Sequence, residues 1–144
     1  MTDFSQPANS LPAFSLPVKV YLEDTDAGGI VYHVNYLKYM ERARTEFLSR
    51  LGYDKPAILA SGLMLVVHSM DIVFARPATL GEQLHATAAV QQLARSYVVF
   101  AQEVRRGDEC LCRAKVKVAC ITQDTHRPKA MPDEVRHFLE QHVL

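Results

Sequence analysis

Between Tyr21 and Tyr36 the chain reads YLEDTDAGGIVYHVNY, which places Asp24 and Asp26 ahead of a Gly28-Gly29 pair and His33 shortly after it. A carboxylate on a turn can act as a base or a nucleophile, and the free N–H groups at the start of a helix can hold a developing negative charge. Two adjacent glycines let backbone approach a ligand closely. By residue type alone either aspartate can face the helix start, and an Asp-Thr-Asp run also serves as simple turn chemistry, with side chains capping local backbone groups.

Other chemistries are less well supported. Asp24, Asp26 and His33 lie within ten residues but match no usual zinc or calcium spacing, so no metal and no cofactor is expected. No phosphate-binding glycine loop occurs, and there is no nucleophile elbow to begin a serine triad. Cys110, Cys112 and Cys120 all fall on even positions of one strand-like run, an apolar face where a thiol is inert. His68, among Val66, Met70 and Ile72, reads as a core residue.

The elements that would carry the turn follow from hydrophobic period. Val18, Val20 and Leu22 alternate with Lys19, Tyr21 and Glu23 as in a half-buried strand. From Asn35 to Leu51 the apolar residues Tyr36, Leu37, Tyr39, Met40, Ala43, Phe47, Leu48 and Leu51 recur at helical spacing, with Gly52 as the C-cap. Their arc covers roughly half the helix circumference, which suits a helix embraced by a sheet. Arg44 falls inside that arc, where a charge requires a partner, and Glu41 one turn earlier is the nearest candidate.

After a loop containing Pro56 and Gly62, four strand patterns follow with no helix between them. They run from about Leu65 to Phe74 (Val66, His68, Met70, Ile72 and Phe74 on one side), Gln83 to Leu93 (Leu84, Ala86, Ala88, Val90), Ser96 to Arg105 (Val98, Phe100, Val104) and Glu109 to Ile121 (Cys110, Cys112, Ala114, Val116, Val118, Cys120). Arg106-Gly107-Asp108 is the hairpin turn between the last two. A short helix is expected beyond Pro132. The pattern is α+β, with a five-stranded antiparallel sheet around one long helix. Residues 1–16 read as an N-terminal arm and 17–144 as a single domain. Unpaired sheet edges and zero net charge, 16 basic against 16 acidic side chains, favour a homodimer or homotetramer.

The same charge balance argues against nucleic acid as a partner. No apolar run is long enough for a membrane span, no signal peptide is evident, and three unpaired cysteines suit a reducing cytoplasm.

The stretch from Glu23 to Tyr36, continued through Tyr39-Met40-Glu41-Arg42-Ala43-Arg44-Thr45-Glu46 and later Phe74-Ala75-Arg76-Pro77-Ala78, resembles the hot-dog-fold acyl-CoA thioesterases. It is closest to the YbgC-type branch of the 4-hydroxybenzoyl-CoA thioesterase family, and the likeness extends from Val18 to about Met131. The resemblance implies a sheet wrapped around one long helix, and hydrolysis of an acyl thioester of CoA or of acyl carrier protein. It implies Asp26, not Asp24, as the catalytic carboxylate, and the backbone N–H of His33 as the group that polarises the thioester carbonyl, which moves the helix start about two residues earlier. Basic residues that meet ligand phosphates in relatives correspond to Arg95. Tyr32 and Asn35 are candidate substrate contacts, equally readable as a packing aromatic and a local cap. A non-catalytic acyl-CoA-binding or scaffolding module is the alternative, against which a retained Asp26 argues. A hot-dog hydratase would need a His-Asp or His-Glu arrangement in another sequence context, which is not found here.

Overall fold

The computed structural model describes residues 14–50, 59 and 62–144. The described elements are β1 (Phe14–Lys19), a 3-10 turn (Leu22–Asp24), α1 (Val34–Ser49), β2 (Leu63–Phe74), β3 (Gln83–Leu93), β4 (Tyr97–Arg106), β5 (Glu109–Thr122) and α2 (Asp133–Glu140). All neighbouring strands pair antiparallel in the order β1-β3-β4-β5-β2, as the strand-helix-four-strand reading requires. Among the described residues no helix is long and apolar enough to cross a membrane.

Helix α1 lies across the concave face on β1, β3 and β4. Tyr36, Tyr39, Met40, Ala43, Phe47 and Leu48 are buried there, facing Leu84, Ala86, Ala88, Val90, Val98 and Phe100. Each large apolar side chain so buried contributes roughly 1.5–3 kcal/mol. α2 closes one end, with Val135 and Leu139 buried and the Phe138 ring 5.3 Å from Phe47. Gly52 and Pro56 lie outside the described residues.

The first strand differs from the period-two reading. It spans Phe14–Lys19 rather than Val18 to Glu23, and so includes the last three residues assigned to the arm. Asp24 Oδ2 accepts the Tyr21 N–H at 2.9 Å, which turns the chain into the 3-10 turn and leaves Tyr21 and Leu22 exposed despite the alternation. Pro17 is tolerated because β1 is a sheet edge, where a missing donor is not needed for pairing.

The sheet carries three register slips, one of them between Val90 and Gln92 of β3, and the other two overturn faces read from the alternation. In β2 the register slips between Val67 and Ser69, so the residues opposite Cys120, Val118, Val116, Ala114 and Cys112 are Leu65, Val67, Met70, Ile72 and Phe74. Val66 therefore belongs to the other face, and His68, at the bulge, is exposed beside Ser69 Oγ rather than in the core. A second slip between Val104 and Arg105 leaves Leu111 in the core and turns Cys110 to the outer face, against the Glu103 carboxylate. The three thiols are thus buried, but not on one face. Burial, with Glu103 next, pushes the Cys110 thiol up to about 11, and burial pushes Cys112 up to about 12.

Candidate active site

The turn that carries Asp26 is closed by its own backbone. Asp26 N–H donates to Ile30 O at 3.0 Å, Gly29 N–H donates to Asp26 O at 3.1 Å, and Thr25 and Val31 form a bridge behind them. Gly29 has φ 80°, a left-handed conformation that costs a residue with a Cβ of order 1 kcal/mol or more. Gly28 serves differently: its N–H donates to Asp26 Oδ1 at 2.9 Å, and a Cβ there would stand 3.3 Å from the same oxygen. The pair of glycines therefore orients the carboxylate. Asp26 is exposed, and among the described residues no hydrogen bond occupies its Oδ2.

Asp24 is held on every side. Besides Tyr21 N–H on its carboxylate, its carbonyl accepts Tyr32 N–H at 2.9 Å and Asn35 Nδ2 at 2.8 Å. Tyr39, fully buried, has its ionisation pushed up, first by burial and then by the nearby Asp24 charge, so it stays a neutral phenol. The two aspartates are two residues apart in sequence and opposite in role: one ties the turn to the helix, the other projects into solvent.

Helix α1 begins at Val34 with His33 as its N-cap, close to the start implied by the resemblance. Among the described residues no hydrogen bond takes the His33 N–H, as expected for the unpaired first donors of a helix. The helix end is locked from behind by the segment after β2. Val31 N–H donates to Ala78 O at 2.9 Å, and Ala78 N–H donates to the Tyr36 hydroxyl at 2.9 Å. Tyr36 and Ala78 are 42 residues apart, and the sequence carries no local signal of that bond.

The structure brings Asp26, Tyr32, His33 and Asn35 together, with unequal availability. Tyr32 is half exposed, its ring 4.6 Å from His33, and Phe74 lies 5.7 Å from His33 on the other side. The Asn35 amide is already engaged with Asp24 O and is buried. Arg95 does not share this site within one protomer. It sits in the β3–β4 turn, whereas the Asp26 turn lies past the Gln83 end of β3, and the strand between spans roughly 30 Å at ~3.3 Å per residue.

Arg44 is buried as expected, but its partner is not Glu41. Its Nη1 donates to Gln102 Oε1 at 2.9 Å, and Gln102 Nε2 in turn donates to Met40 O at 2.9 Å and Thr87 O at 3.0 Å. Gln102 occupies the core face of β4 between Phe100 and Val104, where a polar residue in an apolar alternation was the available sequence signal. Glu41 is exposed and acts on Arg44 through space, opposing the burial that lowers the guanidinium pKa.

Comparison with known proteins gives a consistent result. Residues 20–139 match the family model described as the thioesterase-like superfamily. The acyl-CoA thioesterase YbgC of Haemophilus influenzae is 40% identical over 124 residues, covering 85% of this chain and 91% of that protein. The acyl-CoA thioester hydrolase YbgC of Escherichia coli O157:H7 is 35% identical over 123 residues, covering 85% and 92%. Among solved structures, a probable thioesterase from Bartonella henselae superposes with a TM-score of 0.76 at 34% identity, covering 83% of this chain and 99% of that one.

Proposed function

Since this chain belongs to the thioesterase-like superfamily, we propose that it hydrolyses acyl-CoA thioesters, with Asp26 as base or nucleophile and the His33 N–H as the oxyanion donor. The observation that carries this reading is the Asp26 carboxylate, oriented by the Gly28 N–H and free at Oδ2 among the described residues, on the turn ahead of a helix start whose His33 N–H makes no hydrogen bond among those residues. As the thioester carbon becomes tetrahedral, its oxygen gains negative charge toward His33 N–H and the positive end of the helix dipole. One preorganised donor of this kind is worth about 3 kcal/mol.

Two routes complete the reaction. As a nucleophile, Asp26 forms a mixed anhydride and expels the CoA thiolate, and water then cleaves the anhydride to the free acid. As a base, Asp26 takes a proton from a water that attacks the carbonyl directly, and the thiolate leaves with that proton. The Tyr32 and Phe74 rings both neighbour the His33 ring, and Asn35 holds the helix start against Asp24 O.

Among the described residues β2 is an edge of the sheet, and its Phe74 ring lies beside His33. A second copy against this edge would deepen the site, and in a dimer or tetramer a neighbour's Arg95 can reach CoA phosphates that this chain's own Arg95 cannot. Thiol release from acyl-CoAs, and from the same acyl group on acyl carrier protein, tests the reading. Turnover that is abolished in Asp26→Asn supports it; no turnover on either carrier rejects the enzyme. Single-turnover hydrolysis in H2(18)O bears on the routes: label in Asp26 establishes the anhydride with water attacking the Asp26 carbonyl, whereas attack at the acyl carbon, like the base route, puts the label in the product acid.

A further inference from the structure

The concave face is only partly covered, and the uncovered strip follows β2, where Val67 and Phe74 are exposed and Met70 and Ile72 half-buried. At the site end it is bounded by His33 and Phe74, whose rings lie 5.7 Å apart. Beside this strip the inner face of β5 is closed, with Ala114 and Val116 buried, while Val34, Glu41 and Thr45 of α1 are exposed and Leu37 is half-buried. At the far end of the strip is a cavity of about 260 Å³ whose sheet wall, Leu65, Val67, Phe100 and Val118, is wholly apolar.

One lining group does not suit that wall. Arg44, only 8% exposed, lines the cavity with a guanidinium whose one hydrogen bond among the described residues is Nη1 to the neutral Gln102. The Nε–Nη2 edge is left without a partner. Among the described residues the only sealed, unpaired side-chain polar atoms are Tyr39 Oη and Arg105 Nε, so the free edge of Arg44 opens to the cavity. A nine-tenths-buried cation with a two-donor edge beside an apolar sheet wall is matched by a carboxylate, which accepts both N–H groups at once. Glu41, on the rim, is of the wrong sign to favour such a guest, but it is exposed and screened by solvent, whereas Arg44 is not.

Resting on the thioesterase reading above, we propose that the acyl chain lies along this β2 strip from the His33 end to the cavity, and that Arg44 there selects medium-length acyl chains bearing a terminal oxygen acceptor, a carboxylate above a hydroxyl. The length follows from the helix. His33 to Arg44 is eleven residues, or ~16 Å at ~1.5 Å rise, and the Arg44 side chain leans back toward the N-terminus, which shortens the span by a few ångströms. An extended chain advances ~1.2 Å per bond, so about ten to twelve carbons connect the thioester carbonyl to the guanidinium.

The test compares straight-chain acyl-CoAs of six to fourteen carbons ending in methyl, hydroxyl or carboxyl. Wild-type protein is expected to favour the carboxyl over the methyl series in kcat/KM by about tenfold or more, carried mainly in KM, with the largest ratio near ten to twelve carbons and the hydroxyl series between. Arg44→Met should bring the ratio toward one, Arg44→Lys should leave part of it, and Glu41→Gln should raise it. Calorimetry with the matching non-hydrolysable thioethers reads the same preference without chemistry. A carboxyl preference without turnover keeps the subsite and rejects the thioesterase reading. Equal or weaker binding and turnover of the carboxyl series by the wild-type protein overturns the subsite, whatever the variants do.

Discussion

The concave face of the sheet has two halves built from similar strands, and only one of them is a core. On β3 and β4, Leu84, Ala86, Ala88, Val90, Val98 and Phe100 are fully covered by α1. On β2, Val67 and Phe74 face the same way, yet remain 48% and 44% exposed. The difference lies in the helix. Its apolar arc is aimed at β1, β3 and β4, while the stripe facing β2 contains Glu41 and Thr45, which line a cavity with Leu65 and Val67. One half fixes stability, and the other is the side on which the proposed acyl chain would lie.

The largest effect should come from the open half and should be chemical. Asp26→Asn keeps an oxygen that can accept the Gly28 N–H, so the turn survives, but it removes the base or nucleophile; kcat should fall by about 10²–10⁴ with little change in Tm. A parallel fall in Tm would show that Asp26 supports the fold instead. Next in size is Phe47→Ala on the filled half. That side chain touches Phe14, Phe100, Phe138 and His142, and its removal should cost about 3–5 kcal/mol in denaturant unfolding. Val67→Ala on the open half should cost less than about 1 kcal/mol under the same conditions, and equal losses would erase the distinction between the halves.

An effect smaller than that of Phe47→Ala is expected at Gly29. Its φ of 80° makes Gly29→Ala destabilising by about 1 kcal/mol, with activity falling more than stability because the strained turn carries Asp26. The smallest concerns pH. Burial holds the folded pKa of Cys110 and Cys112 above the ordinary thiol value, so both favour the protonated form. Their contribution is therefore complete below the ordinary thiol pKa and is lost as pH rises toward about 11 to 12. Denaturation midpoints should decline slightly above about pH 9, and a thiol reagent should leave native protein unlabelled while reacting with all three cysteines in denaturant.

Much of this arrangement was legible in the chain. The core faces of β3 and β4 and the buried residues of α1 follow directly from alternation and helical period. So do α2 after Pro132 and the Arg106–Glu109 hairpin, because each depends on residues near one another in sequence. The turn, its glycines and its two aspartates were equally plain. What escaped depended on pairing across distance. Alternation alone assigned His68 and Cys110 to the core, but a bulge of one residue reverses every face beyond it, and a bulge is decided by the partner strand. Glu41 was the nearest partner for Arg44 in sequence, but Gln102, 58 residues away, is the nearer in space.

The same division separates the two aspartates. Residue types and spacing specified that a carboxylate, a pair of glycines and a helix start would lie together, since all three fall within about a dozen residues and chain connectivity keeps them close. The folded chain decided which carboxylate is free. Asp24 is held because Tyr32, Asn35 and Tyr39 come back over it when α1 docks on the sheet, and the helix is held there by Ala78 from a segment more than forty residues on. Those contacts form only when distant backbone donors and acceptors meet in a buried place where each must be satisfied, a condition no local pattern encodes.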